Sequence, residues 1–237
     1  MRSCFRIAIG LTLLHGTAFA APLYSGAVEG IFSDPVVIGA IINADGSTSV
    51  QDNTASAVVS GTGTNQMVWG SWCGTGCEPV PQSSSVTFTG ESFANVAPDV
   101  VFRLGTLSYL NGTSFVDTLI FGARLALGVT GSAAAISPAV AQISVLTTVN
   151  GGVDVFADAD FLGFDVLPFT FHVFEGASAV ADLYGYIHGD PQLVIGTITL
   201  PPGQAGNGFL IPVPEPGTMA LLGLGLAAVG FGRRRKA

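Results

Sequence analysis

Beyond the first twenty residues, few side chains of this 237-residue chain could do chemistry: two cysteines, two histidines, a run of aspartates and some aromatic rings. Cys73 and Cys77 bracket Gly74-Thr75-Gly76. In an oxidising compartment such a pair closes as a disulfide; the glycines let so short a loop close, with a smaller entropic gain than a long one gives. A redox or metal role is the alternative, and a metal site would want more Cys or His close by than this segment offers. Asp154, Asp158 and Asp160 share parity, so a continuous strand would put all three on one face. Three like charges there repel, and calcium, which takes oxygen ligands, would relieve the repulsion. The spacing is not that of an EF-hand loop, and a solvent-exposed acidic edge accounts for the same residues.

His172 and His188 are the candidate general bases, each alternating with apolar or aromatic neighbours in an expected strand. A Ser-His-Asp triad can be drawn with either, but Ser and Asp are so plentiful that the drawing carries no information. There is no Gly-x-Ser-x-Gly elbow, no His-Glu-x-x-His and no phosphate-binding loop ending in Lys-Ser/Thr. Trp69, Trp72, Tyr109, Tyr184 and Tyr186 could offer a sugar-stacking surface, and Tyr184 and Tyr186 share strand parity with Asp182 and His188. The other use of such rings is in a core. Asn111-Gly112-Thr113 fits a glycosylation acceptor and equally a turn.

Strands must position all of these. Along 117–129, Leu119, Phe121, Ala123, Leu125, Leu127 and Val129 fall on one face. Val86 and Phe88 alternate with Ser85, Thr87 and Thr89, and Phe169, Phe171 and Val173 with Thr170 and His172. Further strands are expected near 28–32, 36–42, 100–110, 143–149, 180–188 and 193–200, with turns at Asp45-Gly46, Asn111-Gly112, Asn150-Gly151-Gly152 and Gly189-Asp190-Pro191. Only Ala133 to Gln142 hints at a helix, and Pro138 interrupts it. About ten short strands imply an all-β, antiparallel, jelly-roll-like β-sandwich over 21–200, followed by a Gly/Pro-rich stalk over 201–213.

The two ends differ from this middle. Residues 1–20 carry Arg2 and Arg6, an apolar run from Ile7 to Leu14, and Ala18-Phe19-Ala20 before Ala21, the layout of a signal-peptide helix cleaved between Ala20 and Ala21. At the other end Gly217 to Gly232 are uncharged and Arg233, Arg234, Arg235 and Lys236 follow at once. That stretch is short against the usual ~20 residues but reads as a transmembrane helix with a cytoplasmic basic stop. With both ends set aside, 2 arginines face 15 carboxylates, a formal charge of −13 with no lysine. Such a surface repels nucleic acid and anionic polymers unless divalent cations bridge them.

Val213-Pro214-Glu215-Pro216, a Gly-rich apolar stretch and a terminal Arg cluster, in that order, resemble the PEP-CTERM sorting signal of Gram-negative bacteria over 214–237. The resemblance implies that an exosortase, a membrane transpeptidase-like cysteine enzyme, recognises Pro214, Glu215 and Pro216 and removes the tail. More faintly, Gly61-Thr62-Gly63-Thr64-Asn65, Val68-Trp69-Gly70, Ser85 to Gly90, Phe102 to Gly112 and Phe174-Glu175-Gly176 resemble a choice-of-anchor domain of type K. The segment holding Cys73 and Cys77 departs from that pattern. This second resemblance implies an exported β-rich domain and brings no catalytic residues.

The expectation is a non-enzymatic protein exported by the secretion machinery. It would be held transiently in the inner membrane, sorted to the cell surface or extracellular matrix, and structural or adhesive within biofilm or exopolysaccharide. It would have no cofactor unless calcium binds. The alternatives are a carbohydrate-binding module, with or without calcium, and a secreted hydrolase using His172 or His188.

Overall fold

Inward-facing Phe, Leu, Val and Ala at every second position leave these segments one way to leave water, which is to pair as strands and face a second sheet. The structure, a computed structural model, describes residues 22–42, 48–52, 59–69, 83–112, 119–147, 159–167, 169–204 and 206–212. In chain order the strands are β1 (Tyr24–Ile42), β2 (Thr48–Asp52), β3 (Val59–Ser60), β4 (Gln66–Trp69), β5 (Ser84–Gly90), β6 (Ser92–Val96) and β7 (Phe102–Leu110). They continue as β8 (Leu119–Thr130), β9 (Ala139–Leu146), β10 (Asp160–Phe164), β11 (Phe169–Val173), β12 (Ser178–His188), β13 (Gln192–Thr199) and β14 (Gly208–Pro212).

One sheet has the order β14-β11-β10-β9-β8-β1-β2, with β6 also on β1; the other runs β13-β12-β7-β5-β4-β3. All strand pairs in both sheets are antiparallel. The all-β antiparallel expectation therefore holds among the described residues. The wiring differs from a jelly roll, because β8, β9, β10 and β11 follow one another as neighbours within a single sheet.

The alternation along β8 is as expected: Phe121, Ala123, Leu125 and Leu127 are buried while Ile120 and Arg124 point outward. The expected strands at 28–32 and 36–42 are one strand, β1, broken in register between Ser33 and Val36. Pro35 has no N–H for the ladder, and Asp34 takes a positive φ of 49°, so the chain bulges there and continues. The Asp34 carboxylate accepts from Ser33 Oγ at 3.0 Å and pairs with Arg124 at 3.3 Å.

Two expectations are corrected. The helical hint at 133–142 is wrong: residues 139–146 are β9, with Ala139, Ala141, Ile143 and Val145 buried and Val140, Gln142, Ser144 and Leu146 outward. The small side chains of this stretch suit a helix, but period-two burial against the opposite sheet decides. The stalk over 201–213 is also wrong in its second half, where 208–212 form β14 on β11. The turn before it is tied to the domain: Gln204 Oε1 accepts from the Val180 N–H at 3.0 Å, and Asn207 Nδ2 donates to the Ser178 carbonyl at 3.0 Å.

Between the sheets, Trp69 from β4 stacks on Phe121 from β8 with ring centres 4.2 Å apart, and on Tyr109 from β7 at 5.9 Å. Tyr109 hydroxyl donates to Asp160 Oδ2 at 2.7 Å, joining β7 in one sheet to β10 in the other. Asn111 Nδ2 donates to the Val173 carbonyl at 3.0 Å and forms a second polar tie between the two sheets.

Burial beside the Asp160 carboxylate pushes the Tyr109 phenol well above its ordinary 10.0. The folded chain keeps that proton above pH 10 while the unfolded chain loses it, so this contribution is intact below pH 10 and fades as pH rises further. Tyr109→Phe removes one donor to a buried carboxylate and is expected to cost about 1–3 kcal/mol at pH 7. It should also remove part of the alkaline loss. Urea midpoints from pH 7 to 11 measure both; an unchanged midpoint at pH 7 contradicts the assignment.

Candidate functional site

The outer face of the six-stranded sheet collects the polar and aromatic side chains that the core refuses. Along β12, Ala179, Ala181, Leu183, Gly185 and Ile187 turn inward, so Asp182, Tyr184, Tyr186 and His188 stand together on the outside, as their spacing predicts. At about 3.4 Å per residue the two tyrosines are about 7 Å apart along the strand. The ladder sets Thr89, Thr106, Asp182 and Thr199 in one row across four strands, and Arg103, Tyr184 and Thr197 in the next.

Fixed ion pairs frame this row. Arg103 donates to Asp182 Oδ1 at 2.6 Å and to Glu91 Oε2 at 2.9 Å. Bonding to Asp182 first, and the charge of both carboxylates, hold the guanidinium proton more tightly than usual. His188 Nδ1 lies 2.9 Å from Asp99 Oδ1. The backbone places that carboxylate: Asp99 sits at φ 60° in a short turn and its N–H donates to the Ile187 carbonyl at 2.8 Å. Sequence reasoning found Asp182 and His188 but missed Arg103, Glu91 and Asp99. Arg103 was the available clue, being one of two basic residues in an acidic domain, yet its partners follow only from register.

The other expected residues fall differently. Trp69 and Tyr109 belong to the core and present no ring face to solvent. Asp160 is 1% exposed, facing inward with Leu162 and Phe164, so the idea of an acidic edge fails for this residue. Asp154 and Asp158 lie outside the described residues, so their position relative to Asp160 is not given by the structure. Among the described residues no group of three His, Cys, Asp or Glu is arranged to hold a metal ion. Asn111 is fully buried, its amide already donating to Val173, which removes it as a glycosylation acceptor in the folded chain.

His172 is 4% exposed on the outer face of the eight-stranded sheet, where cross-strand pairing brings it against Phe161 of β10 and Phe209 of β14. The ring centres are 4.1 and 4.5 Å away. Its ring packs beside that of β14's Phe209, and among the described residues no carboxylate and serine are brought to it in a triad. Also outside the described residues are Ala20, Ala21, Trp72, Cys73, Cys77, Pro214, Glu215, Pro216, Arg233, Arg234, Arg235 and Lys236, with the expected signal and transmembrane helices. No helix among the described residues is long and apolar enough to cross a membrane.

Residues 212–236 match the PEP-CTERM protein-sorting motif. The chain carries an export-linked sorting signal of the kind that exosortases recognise at the membrane for delivery to the cell surface. No curated protein and no solved structure matches the chain. The matched residues begin where β14 ends, so the folded domain abuts the signal.

Desolvation lowers the His172 pKa below 6.5. A histidine buried neutral must take up a proton on unfolding in acid, so its stabilising share is present above pH 6.5 and is lost as pH falls through the folded value. Melting temperatures from pH 8 to 5 are expected to decline more steeply for the wild type than for His172→Leu; parallel profiles contradict this.

Proposed function

We propose that this is a non-enzymatic exported protein of the bacterial surface or extracellular matrix, processed by an exosortase at Pro214-Glu215-Pro216 and structural or adhesive within exopolysaccharide or biofilm. The observation that carries this reading is the sorting motif over 212–236, placed directly after an acidic all-β domain. The signal-peptide layout of residues 1–20, the Cys73–Cys77 loop suited to an oxidising compartment, and the resemblance to choice-of-anchor domains support it. The transmembrane stretch at 217–232 and the basic stop after it would hold the precursor in the inner membrane of a Gram-negative cell until processing.

The test is the intact mass of the protein recovered from cells that contain the sorting enzyme. The expected mature chain starts at Ala21, lacks the tail beyond the Pro-Glu-Pro motif, and gains the mass of two hydrogens on reduction. A Pro214→Ala/Glu215→Ala/Pro216→Ala chain is expected to keep its tail completely. Normal truncation of that variant would sink the sorting reading.

A second reading, binding of a neutral polysaccharide, is favoured by one observation. Tyr184 and Tyr186 lie side by side on the outer sheet face among Thr106, Thr197 and Thr199, beside the Arg103–Asp182 pair. Tyrosine rings stack on the apolar faces of sugars, while hydroxyl and charged neighbours can satisfy the sugar hydroxyls. The charge of −13 disfavours an anionic polymer. Retardation in gels containing neutral glucans or galactans is expected for the wild type and should vanish for Tyr184→Ala/Tyr186→Ala. Equal migration of the two proteins, with unchanged melting temperatures, would contradict it.

A further inference from the structure

The last strand and the sorting signal share a residue: β14 ends at Pro212, where the matched motif begins. Pro214 is two residues further on. Extended chain advances at most about 3.3–3.6 Å per residue, so Pro214 lies within about 7 Å of a residue hydrogen-bonded into the eight-stranded sheet. An enzyme that cuts a peptide bond holds residues on both sides of it, commonly as an added extended strand. The residues before Pro214 are already engaged, because Gly208 to Pro212 pair with Val173 to Phe169 along the whole of β11.

Among the described residues β14 is an edge strand, attached on one side to β11. Phe209 packs on His172 and on Phe174, at 4.5 and 5.6 Å between ring centres, and the preceding turn is tied to β12 through Gln204 and Asn207. Packing at its start is close: a Cβ on Gly208 would collide with the His172 carbonyl oxygen. We propose that β14 must leave β11 before the sorting enzyme can process the motif, so that docking of this strand limits the rate of processing. The proposal rests on the exosortase reading above. It orders two events: the enzyme acts on chains whose last strand is undocked, and β14 settles against β11 once the tail is gone.

The test locks the strand in the full-length protein. Thr170 and Ile211 are cross-strand partners, and facing residues of an antiparallel pair lie within disulfide range. In membranes from cells containing the sorting enzyme, Thr170→Cys/Ile211→Cys is expected to stay unprocessed when oxidised and to be processed after reduction. The wild type and each single-cysteine chain, treated alike, serve as controls. The same locked chain with a Gly/Ser spacer of about six residues after Pro212, roughly 20 Å of added reach, is expected to be processed without reduction. Gly208→Ala, which loosens the strand, is expected to be processed faster than wild type.

Processing of the oxidised locked chain at the wild-type rate overturns the proposal and leaves the sorting reading intact. So does failure of Gly208→Ala to exceed the wild-type rate. A wild-type chain that is never processed overturns both.

Discussion

The structure depends on two sheets burying one face each against the other while matching the few polar groups trapped between them. Apolar burial supplies the main driving force, at about 25 cal/mol per Å²; it fixes which face of each strand turns inward but is indifferent to a two-residue slip that keeps that face. The Tyr109–Asp160 bond and the Asn111–Val173 bond are not. The first joins β7 to β10 and the second joins the residue that follows β7 to β11, and a slip in either sheet would strand a buried polar group at a cost of about 1–3 kcal/mol. Apolar burial thus sets the parity of every strand, and these ties set how the two sheets sit on each other. With parity fixed, the outer faces receive whatever the core does not take, including Tyr184, Tyr186 and His188.

That logic explains what the sequence disclosed. Where a strand alternates apolar with polar residues, as in Phe121 to Leu127 or Ala179 to Ile187, the fold and the inward face were legible without coordinates. Asp160 shows the limit. The sequence could not say which face of β10 is inward, because an aspartate is ordinarily placed outside. The phenol on β7 helps make the inward position tolerable, and that partner is 51 residues away along the chain. The first half of β9 was missed because Ala and Gln favour a helix, while its second half falls in the strand expected near 143–149; β14 was missed because Gly and Pro flank it. In both cases pairing with a neighbouring strand outweighs local preference. The sorting motif was legible in full, since it is read as linear sequence.

Charge narrows what the domain can hold. Both of its arginines are engaged, Arg103 by Glu91 and Asp182 and Arg124 by Asp34. Exposed pairs of this kind add at most about 1 kcal/mol each to stability. Their larger consequence is for recognition: with no lysine in the domain, no basic patch is left to neutralise a polyanion. Contacts with a polymer would therefore fall to rings, hydroxyls and amides, which suit uncharged sugars. Anionic matrix components would need a bridging cation.

The distribution of stability across the fold bears on how its C-terminus can be handled. The Trp69, Tyr109, Phe121 and Asp160 cluster belongs to β4, β7, β8 and β10, and none of it depends on β14. Among the described residues β14 pairs with β11 alone, and it contributes half-buried Phe209 and Leu210. Local opening draws on elements with few buried contacts, and it can occur at a free-energy cost well below that of global unfolding. Releasing five residues at this edge would expose Phe209, His172 and the unpaired side of β11 but would leave the intersheet ties intact. A chain whose sorting motif starts at Pro212 can thus yield its junction to an enzyme without losing its core. The same edge, left open for long, would be a site for strand addition between copies, so re-docking of β14 would protect a processed chain as well as complete its fold.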